Sequence, residues 1–143
     1  MKIRCVYNTG EVLRNYETKS LKEDELSKFG FTENTQFGLT INKEYIVVGM
    51  FLSEGTLNYL IDESDHVSAY SCLLFQVVEN KIPSTWFFRS LKINDINYPY
   101  LEAIWGYYEL VFDDNHYEKL VYNDEGAMIT YFNRKKELEK EEK

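Results

Sequence analysis

Residues 62–66 offer four possible ligands for a hard cation within five positions, in the order Asp-Glu-Ser-Asp-His. A calcium loop of the EF-hand type needs oxygen ligands at positions 1, 3 and 5, glycine at position 6 and glutamate at position 12. Counted from Asp62, position 6 is Val67 and position 12 is Leu73, so the calcium pattern fails. We expect a solvated hairpin turn without a bound metal, and contact between its acids and a partner is the alternative.

Residues 113–118 are a second candidate site, because carboxylates flank His116 in the order Asp-Asp-Asn-His-Tyr-Glu. A catalytic histidine also needs a nucleophile and a group that orients it. The only other histidine is His66, and two histidines are too few for the common zinc triads. Acids ahead of a helix satisfy its unpaired N–H groups and its dipole, so the segment predicts a helix start in which Asn115 and Glu118 form a capping box.

The two cysteines, Cys5 and Cys72, are too few for a disulfide framework. Cys5 lies in a strand pattern and Cys72 precedes two leucines, so both are expected to be small buried hydrophobes rather than reactive thiols. The chain starts with a strand pattern rather than an apolar leader, and no apolar run approaches the roughly 20 residues that span a bilayer. These features predict a protein of the reducing cytoplasm.

Length and charge limit the class of protein. The chain has 143 residues, of which 44% are hydrophobic and 28% charged, which predicts a single domain over residues 1–143 with a core of its own. The 16 lysines and arginines stand against 24 aspartates and glutamates, a formal net charge of −8. That balance argues against a main role in binding nucleic acid or an anionic membrane, and it favours a basic protein partner.

Aromatic residues are concentrated in one part of the chain. The set comprises Trp86, Phe87, Phe88, Tyr98, Tyr100, Trp105, Tyr107 and Tyr108. Aromatics at this density usually pack where a small barrel meets its helices, which is the first interpretation. Stacking of single-stranded nucleic acid needs a basic groove, whereas residues 43–112 hold four bases against nine acids. A protein interface formed by some of the set is therefore the alternative.

Short apolar runs predict five strands, at residues 2–7, 44–52, 56–61, 67–70 and 74–78. A serine followed by a glutamate three residues later, and a glycine further on, mark a short helix over residues 21–29. Asp124 is expected to cap a second helix over residues 125–139. The apolar face of that helix is predicted to consist of Met128, Ile129 and Phe132.

The strand order resembles that of the SH3-like small barrel. A long connection follows the first strand, tight turns join the next three, and a brief break precedes the fifth. The resemblance covers residues 2–79 and is one of pattern, since the tryptophan and the Pro-x-x-Tyr of peptide-binding SH3 domains are missing. It implies an α+β, mainly β fold, with a small antiparallel barrel, an inserted short helix and C-terminal helices packed on the barrel. Residues 80–143 are then an aromatic-rich extension that ends in those helices.

Four stretches carry a resemblance to a family: LTINKEY at residues 39–45, LFQVV at 74–78, IPSTW at 82–86 and AIWGY at 103–107. They are similar to stretches of uncharacterised small acidic cytoplasmic proteins of Bacillus and related Firmicutes, and the similarity extends over most of the chain. Those proteins resemble the acidic one-domain immunity proteins that accompany bacterial polymorphic toxins. The resemblance implies a protein that occludes a toxin by complementarity of charge and shape.

These expectations favour a non-enzymatic, immunity-like protein-binding domain that neutralises a basic toxin and uses no cofactor. The residues predicted to bind the partner are Glu54, Asp62, Glu63, Asp65, Trp105 and Tyr107. A second hypothesis is a small metabolite-binding protein or enzyme with an aromatic cleft, in which His116 or His66 is the acid or base. A third is a structural module of a larger assembly. The identity of the toxin, the binding face and the oligomeric state stay open.

Overall fold

Eight strands and four helices make up the part of the chain that the computed structural model describes, which is residues 1–14, 32, 34–92 and 95–141. The strands are β1 (Lys2–Cys5), β2 (Glu44–Ile46), β3 (Gly49–Ser53), β4 (Thr56–Glu63), β5 (His66–Ser71), β6 (Phe75–Glu79), β7 (Phe87–Ser90) and β8 (Leu101–Gly106). The helices are α1 (Glu11–Arg14), α2 (Tyr108–Phe112), α3 (His116–Val121) and α4 (Glu125–Glu141), and a 3-10 turn at Cys72–Leu74 precedes β6. The protein is α+β and mainly β, which confirms that prediction. The helix predicted over residues 21–29 lies outside the described residues.

The strands form two antiparallel sheets. The first sheet has the strand order β2-β1-β6, and the second has the order β5-β4-β3-β8-β7. Strands β2 and β3 come from the one apolar run that the sequence predicts as a single strand. The chain passes from the first sheet to the second at Val47 and Val48, and both valines are fully buried.

The closed barrel predicted for residues 2–79 is not present, because neither sheet closes on itself among the described strands. The reason lies in β7 and β8, two strands that the sequence did not predict. β8 pairs with β3 from Gly49 to Ser53, and β7 pairs with β8 in turn. The edge of β3 is thereby occupied, and the second sheet extends as an open layer of five strands.

Two cores lie on opposite faces of the second sheet. The first core, between the two sheets, includes Ile3, Tyr45, Met50, Tyr59 and Leu74. The second core, between the second sheet and the C-terminal helices, includes Phe51, Leu60, Ile104, Leu110 and Tyr131. Alternate residues of a strand point to opposite faces, which is why Met50 and Phe51 belong to different cores.

A pair of glycines lets α2 approach the second sheet closely. Gly49 and Gly106 lie opposite each other in β3 and β8. A Cβ atom on Gly106 would lie 2.7 Å from Leu110 Cδ2 and 3.3 Å from Gly49 Cα, and the Gly106 φ of +155° disfavours any side chain. Leu110 therefore fills the hollow above the two glycines, and α2 lies against the β7 edge of the sheet.

Helix α4 packs on the second sheet through a face that differs from the predicted one. Its buried residues are Ala127, Tyr131 and Leu138. Met128 and Phe132 are partly buried against the second core, whereas Ile129 is exposed. The prediction that Ile129 packs on the sheet is wrong, because the buried stripe follows the spacing of four and seven residues that keeps side chains on one helix face.

The two predicted helix starts have different outcomes. The Ala127 N–H donates to Asp124 Oδ2 at 3.0 Å, so Asp124 caps α4 as predicted. The predicted capping box at Asn115 is wrong, because the Asn115 side chain makes no capping hydrogen bond. Asn115 has helical backbone angles (φ −101°, ψ −9°), and its own N–H donates to Asp113 Oδ1 at 3.0 Å.

Candidate protein interface

Asp62, on β4, joins the second sheet to helix α4. Its Oδ1 accepts a hydrogen bond from the Tyr131 hydroxyl at 2.9 Å and lies 2.9 Å from the Lys135 ammonium. Tyr131 is fully buried, and burial together with the Asp62 carboxylate raises the pKa of its hydroxyl. Asp62 therefore has partners within the chain, and its contact with another protein stays a prediction.

Glu63 joins β4 to the turn that precedes β2. Its carboxylate accepts a hydrogen bond from Thr40 Oγ1 at 2.7 Å and pairs with the Lys43 ammonium at 2.6 Å. Desolvation opposes ionisation of Glu63, but the hydrogen bonds from Lys43, Thr40 and Tyr45 outweigh it and lower the pKa of the carboxyl group. This carboxylate, too, has an evident structural role.

Glu54 and Asp65 lie at the tips of two turns at opposite ends of β4. Both residues are exposed, with φ angles of +47° and +64°. The residue after Glu54 donates its N–H to Glu102 Oε1 at 2.9 Å, which places this turn beside the start of β8. Asp65 lies in the turn between β4 and β5, near one edge of the second sheet. Strand β7 forms the opposite edge, and three strand spacings, or about 14 Å, separate it from β4.

Tyr107 and His116 form a buried pair beside α2. Tyr107 is 5% exposed and His116 is 4% exposed, and Tyr107 Oη lies 2.5 Å from His116 Nε2. Burial raises the pKa of the Tyr107 hydroxyl and lowers that of the His116 imidazole, so both neutral forms are favoured. The geometry gives His116 a structural role, and its use as an acid or base stays an untested hypothesis. His66, the alternative, lies exposed at the start of β5.

The six residues predicted to bind a partner do not share one surface. Tyr107 belongs to the second core, whereas Trp105, two residues earlier, is partly buried against the first core. The acidic residues are distributed between the two ends of β4. A partner that covers Trp105 and Glu54 therefore does not also cover Asp65 unless it spans most of the second sheet.

A cluster of exposed aromatic side chains lies instead along β7, the outer strand of the second sheet. Phe87 is 46% exposed, Phe88 55%, Tyr108 55% and Phe112 45%. These four residues, together with the partly buried Trp105, are called the aromatic edge below. The Phe87 ring lies 5.7 Å from the Tyr108 ring and 5.6 Å from the Phe112 ring, and Phe88 lies 5.1 Å from Trp105. Exposed aromatic rings in mutual contact are typical of an interaction surface.

A cleft of about 270 Å³ adjoins the aromatic edge. Trp86, Phe87 and Tyr108 contribute aromatic rings to its wall, and Arg134 and Glu137 contribute charged groups. The cleft lies between β7, α2 and the C-terminal half of α4. It is therefore able to hold an aromatic or aliphatic side chain whose end is polar.

Two carboxylates surround the positive charge in this cleft. Arg134 donates two hydrogen bonds to Glu109, at 2.7 and 2.8 Å, and one to Glu137 at 3.2 Å. The Glu109 carboxylate raises the pKa of Arg134, and the Arg134 guanidinium lowers the pKa of Glu109. Arg134, Glu109 and Glu137 together carry a net charge of −1, so the cleft favours a cationic ligand over an anionic one.

Thiols and metal ligands do not point to a second site within the described residues. Cys5 is buried and Cys72 is partly buried, and burial raises the pKa of both thiols, which favours their protonated form. In this part of the chain no group of three or more His, Cys, Asp or Glu side chains is placed to hold a metal ion.

Three comparisons with known proteins give no match. No protein-family model matches the chain, and neither a curated protein nor a solved structure is significantly similar to it. Among the described residues, no helix combines the length and the apolar character needed to cross a membrane. The function is therefore inferred from the geometry of the described residues.

Phe112 is the residue of the aromatic edge that sequence reasoning missed. The sequence feature that indicates its position is its spacing of four residues from Tyr108. In the helix over residues 108–112 this spacing places the centres of the two rings 5.2 Å apart. Aromatic density alone does not separate surface from core. Tyr98 and Tyr107 are buried, whereas Phe88 in the same dense stretch is exposed.

Proposed function

We propose that the protein is an immunity-like binding domain that occludes a basic toxin and contacts it through the aromatic edge. The observation that carries this proposal is the exposure of three aromatic side chains in mutual contact on one face of β7, Phe87, Tyr108 and Phe112, with Phe88 exposed on the other face of the same strand. Contiguous exposed apolar patches mark interaction sites, and aromatic anchors supply most of the binding energy in many protein interfaces.

The charge of the chain supports a basic partner. The net charge is −8. Residues 83–114, which contain the aromatic edge, hold five acids (Asp95, Glu102, Glu109, Asp113, Asp114) and two bases (Arg89, Lys92). One of these bases, Arg89, is paired with Asp114 at 2.6 Å. Such a surface attracts a cationic protein and speeds its encounter, while the aromatic groups slow its dissociation.

The proposal extends to fold family and location. We propose that β1 to β6 are an opened relative of the SH3-like small barrel and that the chain belongs with the cytoplasmic proteins of Firmicutes that it resembles. The pairing of β1 with both β2 and β6, and the 3-10 turn before β6, support the first statement. The two free cysteines support a reducing compartment.

The direct experiment is co-expression with the product of the gene immediately upstream, which is the candidate toxin. The protein is expected to rescue the growth of cells that express this toxin and to bind it in a pull-down. Tyr108→Ser is expected to weaken binding by about 30-fold, or about 2 kcal/mol, mainly through faster dissociation. Trp105→Ala, which removes the ring beside Phe88, is expected to act in the same direction.

Tyr122→Ser is the matched control, because it removes a tyrosine that is 76% exposed at the end of α3, a helix that contacts β5 at the opposite edge of the second sheet from β7. It is expected to leave the affinity unchanged. Equal weakening by Tyr108→Ser and Tyr122→Ser would contradict the aromatic edge as the contact surface. A wild-type protein that neither rescues growth nor binds the adjacent gene product would contradict the immunity proposal and favour the metabolite-cleft hypothesis.

A further inference from the structure

The outer edge of β7 presents backbone hydrogen-bonding groups that face away from the sheet. The Leu91 N–H donates to the Glu102 carbonyl at 2.9 Å, which continues the β7–β8 ladder by one pair. In an antiparallel ladder, hydrogen-bonded pairs alternate with pairs whose N–H and C=O groups point outward. The alternate residues Phe88 and Ser90 therefore direct these groups outward. Within the described part of the chain, no strand pairs with this edge.

Both faces of β7 carry large apolar side chains. Phe88 lies with Trp105 on the face of the first core, and Phe87 lies with Tyr108 and Phe112 on the face of the helices. Apolar residues on both faces are typical of a strand whose two faces are both covered by other layers, whereas Phe87 and Phe88 are each about half exposed. An exposed apolar edge strand is a template for pairing with another chain.

The helix face of β7 also has a place for a positive charge. Glu137 lies in the cleft beside Phe87 and Tyr108, and its side chain is 61% exposed. The single charge of Arg134 does not neutralise both Glu109 and Glu137. A lysine or arginine side chain directed into this cleft gains a carboxylate partner and contact with aromatic rings.

We infer that β7 accepts an extended segment of a basic protein as an additional strand of the second sheet. Basic residues at alternate positions of that segment face the cleft, and apolar residues at the positions between them face Phe88 and Trp105. The inference rests on the proposed function for the basic character of the partner, and it adds the mode of binding, which is strand addition. A second copy of this chain is a poorer occupant, because two chains of net charge −8 repel each other.

The first test uses a blocked peptide of about nine residues that alternates lysine with valine, and a control peptide that alternates glutamate with valine. Isotope-labelled full-length protein is titrated with each peptide and followed by NMR. The lysine peptide is expected to bind and to protect the amide protons of Phe88 and Ser90 from hydrogen exchange at saturation. The glutamate peptide is expected not to bind.

The second test changes the edge itself. Ser90→Pro removes an N–H group that points away from β8, so it removes no hydrogen bond of the β7–β8 ladder. Proline is tolerated at such positions of edge strands, where the N–H faces solvent. Ser90→Ala removes only the hydroxyl group and is the matched control. Affinity for the lysine peptide is expected to fall at least about tenfold with Ser90→Pro and to stay within about twofold with Ser90→Ala. If Ser90→Pro fails to fold, amide protection in the wild-type complex still decides the question.

Strand addition is overturned if the lysine peptide does not bind, if it binds without protecting the two amides, or if the folded Ser90→Pro variant binds it as well as the wild type. A concentration-dependent dimer that Ser90→Pro abolishes would replace the basic partner by a second copy of the chain. A toxin that binds wild type and Ser90→Pro equally would leave the proposed function intact and overturn the inference. Peptide binding with amide protection, but without growth rescue or toxin binding, would support strand addition at β7 and contradict the proposed function.

Discussion

Replacement of Asp62 by asparagine is expected to destabilise the fold, whereas the same replacement at Asp65 is expected to be almost neutral. The Asp62 carboxylate accepts a hydrogen bond from the buried Tyr131 hydroxyl and pairs with Lys135, each at 2.9 Å. Asp65 lies exposed at a turn with a φ of +64°, a conformation that asparagine also tolerates. The two substitutions make the same chemical change at neighbouring positions with different surroundings.

The expected magnitude follows from the contacts of Asp62. A hydrogen bond to a charged acceptor contributes about 1.5–3 kcal/mol and a bond to a neutral one about 0.5–1.5 kcal/mol, so the amide retains part of the bond from Tyr131. The partly buried pair with Lys135 contributes about 1 kcal/mol more. Asp62→Asn is therefore expected to cost about 2 kcal/mol, and Asp62→Ala about 3 kcal/mol, because alanine leaves the buried Tyr131 hydroxyl without this acceptor.

Urea unfolding at neutral pH measures these differences, with an unchanged dependence of the unfolding free energy on urea. A loss of about 2 kcal/mol corresponds to a fall of about 6–8 °C in the melting temperature of a domain of this size. A double-mutant cycle with Tyr131→Phe is expected to give a coupling of about 1 kcal/mol. A difference below about 0.5 kcal/mol between Asp62→Asn and Asp65→Asn, or no coupling to Tyr131, would refute the stabilising role of this contact.

Three further predictions concern the helix layer, pH and metals. Gly106→Ala is expected to lower the free energy of unfolding in urea by about 2–4 kcal/mol, because the added Cβ would lie 2.7 Å from Leu110 Cδ2. Gly55→Ala is the control, since nothing lies within 4 Å of a Cβ at that position. An equal loss of stability in both variants would contradict this prediction. Burial lowers the pKa of His116 below its ordinary 6.5, so the unfolded chain binds a proton more readily. The contribution of His116 to the free energy of unfolding is therefore fully present above about pH 6.5 and decreases towards pH 5. His116→Gln is expected to reduce the fall in melting temperature over this pH range. The same fall in melting temperature in the wild type and the variant would contradict this prediction. Millimolar calcium or zinc is expected to leave the melting temperature unchanged, whereas a reproducible rise of several degrees would reveal a metal site.

Apolar periodicity predicts the strands of the first half of the chain well, because each has at least one face against a core. The runs predicted at residues 56–61 and 67–70 correspond to β4 and β5, which extend only one or two residues further. The same pattern does not predict the break after Ile46. A continuous apolar run is buried throughout whether it stays in one sheet or crosses to another, so the crossing leaves no mark in the sequence.

The acids of the predicted interface show why the site was harder to predict than the strands. Asp62 resembles a solvated turn residue in the sequence, yet its partners Tyr131 and Lys135 lie 69 and 73 positions away. Glu63 likewise pairs with Lys43, 20 positions earlier. Local patterns carry no information about such pairings, because they depend on which elements the tertiary fold brings together.

Strand β7 lies at the edge of the second sheet and carries an exposed phenylalanine on each of its two faces. Proteins usually protect an apolar edge with outward charges, proline or a bulge. The one charged residue of β7, Arg89, gives no such protection, because it is turned towards Asp114 and the Val111 carbonyl, at 2.6 and 3.3 Å. A conflict between local pattern and position is expected where function demands it. An extended cationic segment would resolve this one, since it covers the apolar rings, pairs with the outward groups of β7 and offsets the negative charge around them.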